Sequence, residues 1–164
     1  MAVIGIDPGT AITGFGIVDE KPDGSIIPLD YGVLRTEAGV KSELRLVSIF
    51  QQLNSVISGH PVESAAVERL FFQKNTKTAL SVGEARGVIL LSLTLNCIPV
   101  YEYNPVDIKQ AVTGYGRADK AQMQQMVKVL LSLDAIPQPD DAADALAIAI
   151  CHIHQSKFTD ALPK

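Results

Sequence analysis

Little in this 164-residue sequence is set aside for export, membranes or cross-linking. Cys97 and Cys151 lie far apart among apolar neighbours and no CxxC pair occurs, so both read as reduced core thiols rather than a disulfide or zinc site. No apolar run reaches the roughly 18–20 residues of a membrane span; VILLSLTL is too short, and Ser and Thr interrupt it. The N-terminus has no basic segment leading into an apolar run and a small-residue cleavage site, which makes a cytoplasmic location the expectation. Repeats and low-complexity stretches are missing too. What remains is 47% hydrophobic and 20% charged, an ordinary globular composition expected to form a single domain over residues 1–164.

An excess of positive charge is also missing, since the net charge is −4. Its distribution is uneven. Between Arg69 and Lys128 eight Lys/Arg face four acids, a local balance of +4 that leaves −8 on the rest of the chain. Phosphate binding follows local potential rather than net charge, so a polyanion face in the middle of the chain is permitted.

Residues 2–7, 12–19 and about 25–35 read as three strands joined by short turns at Pro8-Gly9-Thr10 and Lys21-Pro22-Asp23-Gly24. Residues 40–57 carry a helical stripe of Leu46, Val47, Phe50, Leu53 and Ile57. SAAVE (64–68) is a short strand, Asn75 can cap a helix running to about Asn96, and CIPVYEY is a fifth strand. Pro105 opens the next helix, Gly114-Tyr115-Gly116 breaks the chain, and helices follow over about 118–133 and 141–155. Three hairpin-like strands followed by alternating helices and strands predict an α/β fold. Its mixed five-stranded sheet, antiparallel first and then parallel, is flanked by helices in the order of the ribonuclease H-like architecture, an order that by itself fits other α/β folds as well.

The chemistry-bearing residues are acids. Asp7 and Glu68 each close a strand at its carboxyl end, where open α/β sheets place ligands. Val3, Gly5 and Asp7 share one strand face. Asp141 and Asp144, spaced i, i+3, project from one side of the last helix, whose AADALAIAI run is apolar nearly all round and must lie buried on the sheet. Gathered together, four carboxylates need cations, because two like charges about 4 Å apart repel by roughly 4 kcal/mol at an effective dielectric near 20. Oxygen donors suit Mg²⁺, and two such ions can stabilise the attacking and leaving oxygens of an in-line phosphoryl displacement. Glycines 9, 14 and 16 would then clear room for a polymer backbone. The plainer alternative makes Asp140 an N-cap and Asp141 and Asp144 helix-dipole partners, which leaves Asp7 and Glu68 unexplained.

Four stretches together, IGIDPGTAITGFGIVD, VERLFFQKNTKTALSVGEARGVILL, YEYNPVDIKQAVTGYGRADKAQMQQMV and DDAADALAIAICHIH, resemble the RuvC family of Holliday-junction resolvases over nearly the whole chain. The resemblance implies a homodimeric endonuclease that nicks two opposed strands of four-way junction DNA. It also implies Mg²⁺ dependence with two ions per site, Mn²⁺ as a substitute, and a branch-migration helicase complex as a partner. The family's acid tetrad falls on Asp7, Glu68, Asp141 and Asp144; some members carry histidine where Asp141 stands. Phe71 matches an aromatic that stacks on unpaired bases near the crossover, which is worth about 1–3 kcal/mol per base. Lys109 and Lys120 match basic residues close to the scissile strand, where a lysine can hold phosphate or stabilise developing charge. Arg69, Lys74, Lys77 and Arg117 are further expected backbone contacts. Ala79, Gly83 and Gly87 form a small-residue row that fits either packing on the sheet or, by the resemblance, a dimer interface.

Three rivals remain. Asp-Pro-Gly-Thr also resembles the phosphate turn of two-lobed actin-like and sugar-kinase ATPases, for which this chain is too short. Another ribonuclease H-like nuclease acting on RNA or RNA–DNA hybrids, and a non-catalytic junction-binding scaffold, use the same fold. Serine-nucleophile chemistry lacks a GxSxG, and His152 and His154 at i, i+2 do not face together.

Overall fold

A computed structural model describes residues 1–69 and 76–161. The N-terminal strands β1 (Ala2–Asp7), β2 (Ile12–Glu20) and β3 (Ile26–Arg35) form an antiparallel meander. Helix α1 (Ser42–Ser58) crosses to β4 (Ser64–Glu68), α2 (Thr76–Leu95) to β5 (Val100–Tyr103), and α3 (Pro105–Thr113), α4 (Lys120–Leu130) and α5 (Asp140–Ala161) complete the chain. Both crossovers return in parallel, β4 beside β1 and β5 beside β4, giving the order β3-β2-β1-β4-β5.

Strand alternation divides two cores. Ile4, Ile6, Ile17, Ala65 and Val67 face α1 and α2, burying Ile49, Leu53, Ile57, Ala85, Ile89 and Leu93. Val3, Val18 and Ala66 face α3, α4 and α5 and bury most of α5 from Leu146 to Ile153. In α1 the buried line is Ile49, Leu53 and Ile57, spaced by four, whereas Val47 of the expected stripe lies 49% exposed. No helix among the described residues is long and apolar enough to cross a membrane.

The face of β1 that carries Val3, Gly5 and Asp7 is where α5 lies. A Cβ on Gly5 would stand 2.1 Å from the carbonyl oxygen of Ala145, and one on Gly14 would stand 2.0 Å from that of Asp141. Helix and sheet meet backbone to backbone there, which only glycine permits. Gly14 and Gly16 therefore make room for α5, and Gly9 for the carbonyl of Ile12, rather than for an incoming polymer.

Local signals set the other boundaries. The side chains of Asn104 and Asp107 cap α3, and left-handed Gly114 ends it. Asp119 caps α4 by accepting from Gln122 N–H at 2.9 Å, while the Gln122 side chain accepts from Asp119 N–H at 3.0 Å. Cys97 is exposed rather than in the core: it takes the left-handed conformation (φ 57°) that closes α2, and Ile98 N–H donates to the Leu93 carbonyl at 3.0 Å. Strand β5 consequently starts at Val100, three residues later than the apolar run suggests. Of the small-residue row on α2, Gly83 and Gly87 face open space beside exposed Leu80 and Leu91, not the sheet.

Candidate active site at the carboxyl ends of the central strands

Parallel pairing of β1 with β4 carries both strands to the same edge of the sheet, and each ends in its acid, Asp7 or Glu68. Alternation turns both toward α5: Asp7 shares a face with Val3, and Glu68 with Ala66. Helix α5 starts over this edge because its backbone rests on Gly14, the register partner of Asp7. Its first turns therefore deliver Asp141 and Asp144 beside Asp7.

Asp7, Glu68 and Asp144 line one cavity of about 230 Å³, together with Lys109 of α3 and Lys120 of α4. Asp141 does not line it, but its charge acts on both Asp7 and Asp144. Burial drives the Asp7 carboxyl up to about 7, reinforced by the charges of Glu68, Asp144 and Asp141 and opposed by Lys120. Burial also raises Glu68, with Asp144 adding repulsion and Lys109 relieving some of it. Asp144 is raised by burial while Lys120 pulls it back. Acids held this close, and this far from water, resist joint ionisation.

An oxygen-only donor set in that electrostatic state fits a hard divalent cation. Among the described residues no three His, Cys, Asp or Glu side chains already converge as a metal cage.

The basic residues divide. Lys109 and Lys120 reach the cavity. Lys120 Nζ lies 3.0 Å from Asp140 Oδ2 and 3.4 Å from Asp144 Oδ2. Arg69 follows Glu68 but turns to the other face of the sheet, 3.6 Å from Glu102 Oε2, and Glu102 also pairs with Arg86. Arg117 is exposed in the turn before α4. Phe71 and Lys74 lie outside the described residues, as does the side chain of Lys77.

Two features had escaped sequence reasoning. Asp140 is the first residue of α5 rather than its cap, and Gln124 Nε2 donates to its Oδ1 at 2.9 Å. The i, i+4 spacing of Lys120 and Gln124 was the available signal. The second is a largely buried cluster between α5 and strands β4 and β5: His152 Nδ1 lies 2.7 Å from the Tyr103 hydroxyl and Nε2 lies 3.1 Å from that of Ser64. His154 points elsewhere, its Nδ1 2.9 Å from the Ala111 carbonyl, so the two histidines do not meet.

Residues 3–152 match the family described as crossover junction endodeoxyribonuclease RuvC. A protein of that name from Caldicellulosiruptor saccharolyticus is 51% identical over 156 residues, covering 95% of this chain and 94% of the relative. One from Desulfitobacterium hafniense is 53% identical over 154 residues, covering 94% and 93%. A solved structure of Thermus thermophilus RuvC in complex with Holliday junction substrate superposes with a TM-score of 0.92 at 35% identity, over 100% of this chain and 99% of that one. The mixed sheet and its helices are those of the ribonuclease H-like fold.

Proposed function

The chain belongs to the RuvC family of crossover junction endodeoxyribonucleases, and from that premise we propose that it resolves four-way DNA junctions by paired symmetric nicks during homologous recombination and repair. The observation that carries this reading is the cavity where Asp7, Glu68 and Asp144 meet Lys109 and Lys120, with the Asp7 carboxyl driven up to about 7. A buried acid cluster of this kind is unstable by itself and suited to divalent cations arriving with a phosphodiester.

Asp7, Glu68, Asp141 and Asp144 would hold two Mg²⁺ ions, with Mn²⁺ as a substitute. When bound, the ions supply positive charge at the attacking and leaving oxygens of an in-line hydrolysis. The protein's own groups do the rest. Lys109 and Lys120 line the same cavity as the acids, where an ammonium orients the scissile phosphate and stabilises its developing charge. Phe71 would stack on bases unpaired at the crossover, and Arg69, Lys74, Lys77 and Arg117 would contact flanking phosphates.

Two opposed nicks need two sites. The open Gly83 and Gly87 face of α2, with Leu80 and Leu91 beside it, supports a symmetric homodimer that provides them. We read residues 1–164 as one nuclease domain of a cytoplasmic protein working with a branch-migration helicase complex.

Incubation with end-labelled four-way junctions and linear duplexes, with Mg²⁺ or with chelator, tests the reading. Paired nicks confined to junctions and abolished by chelator are expected. Equal cutting of RNA–DNA hybrids, or junction binding without cutting, would overturn it.

A further inference from the structure

We propose that Asp140 is a positioning residue that holds the Lys120 ammonium over the reaction cavity. Both of its carboxylate oxygens are committed to α4: Oδ2 lies 3.0 Å from Lys120 Nζ and Oδ1 accepts from Gln124 Nε2 at 2.9 Å. Lys120 and Gln124 stand one turn apart on the same helix face, so the carboxylate bridges two α4 side chains from the first residue of α5. It thereby differs from its neighbours Asp141 and Asp144, whose charges act on Asp7 inside the site.

The bridge matters because Lys120 has a second attachment inside the cavity, 3.4 Å away on Asp144. When Asp144 turns to a cation, that attachment is lost and a cation also repels the ammonium. A flexible four-carbon side chain, half exposed at this site, would then swing into solvent. Asp140 keeps the second tether. Its carboxylate does not line the cavity, so Lys120 remains at the cavity wall with its charge available to the phosphate.

This role rests on the functional reading above, and the experiment separates the two. Asp140→Asn keeps an acceptor for Gln124 and removes the charge that tethers Lys120. It is made alone and with Lys120→Met, and single-turnover cleavage of a labelled four-way junction in Mg²⁺ is measured. Losing one partly exposed ion pair predicts a fall of about two- to five-fold in the Lys120 background and no further fall in Lys120→Met. The second readout needs no activity: competitive acylation of the metal-free protein, with Lys120 labelling measured against Lys128 on the same helix. Lys120 should label about two- to five-fold faster in Asp140→Asn while Lys128 is unchanged. A merely loosened α4 would move both lysines. A wild-type chain that does not cut junctions overturns the functional reading. Wild-type cutting with equal Asp140→Asn losses in both backgrounds, or an unchanged Lys120 to Lys128 ratio, overturns the role of Asp140 alone.

Discussion

Replacing Asp7 by Asn should make the metal-free protein more stable while destroying its activity. The folded chain raises the Asp7 carboxyl from 3.8 to about 7, so between those values the folded state holds a proton that the unfolded state has released. Stability therefore falls as pH rises through that window, and above about pH 7 the wild type carries the full penalty. A shift of about three units at 1.36 kcal/mol each amounts to about 4 kcal/mol at pH 8, and to less than half of that at pH 5. Asparagine has nearly the same shape and no charge, so it removes the penalty at every pH. The assay is urea unfolding followed by circular dichroism, in chelator, at pH 5 and pH 8. Asp7→Asn should exceed the wild type by several kcal/mol at pH 8, and the gap should narrow markedly at pH 5. Adding Mg²⁺ should stabilise the wild type selectively, by binding its folded state. A variant no more stable than wild type at pH 8, or a gap that ignores pH, would refute the account of the acid cluster as an uncompensated buried charge.

Gly14→Ala should cripple cleavage without touching any acid. Its Cβ would lie 2.0 Å from the Asp141 carbonyl oxygen, and since ordinary contact begins near 3.4 Å the start of α5 must retreat by about 1.4 Å. A misplacement on the order of 1 Å can cost about 100-fold in rate, so near-wild-type single-turnover cleavage would show that the close approach is unimportant. Phe71→Ala should lower junction cleavage about ten-fold or more, by loss of one stacked base, while leaving linear-duplex affinity nearly unchanged. Equal losses on junction and duplex would remove the stacking role.

Much of this architecture is legible along the chain because it is locally encoded. The three antiparallel strands announce themselves by apolar runs between short turns, and α5 by being apolar all round, which is why Asp7 and Glu68 could be expected at strand ends with the first turn of a buried helix nearby. What escaped was set by tertiary packing. A strand glycine clears space for whatever lies above it, and the pattern at Gly14 and Gly16 does not say whether that is a ligand or a helix. Cys97 sits among apolar residues in sequence, yet closing α2 in a left-handed turn carries its side chain outward. Val47 and Ile49 are equally apolar, and only the tilt of α1 on the sheet decides that Ile49 is the buried one. The bridge from Lys120 through Asp140 to Gln124 joins two helices, so the spacing of Lys120 and Gln124 marks a shared face of α4 without naming the acid that spans it.

The backbone contact of α5 with β1 and β2 bears on the choice of acid at each position. Where helix and sheet touch, over Gly5 of β1 and Gly14 of β2, the acids are aspartates, whose single methylene leaves few rotamers to freeze. Glu68 stands one strand further out, on β4, where Ala66 takes the register place of Gly5, and there the chain supplies the longer side chain. Exchanging Asp7 and Glu68 would preserve the net charge yet leave one acid overshooting the cavity and the other falling short.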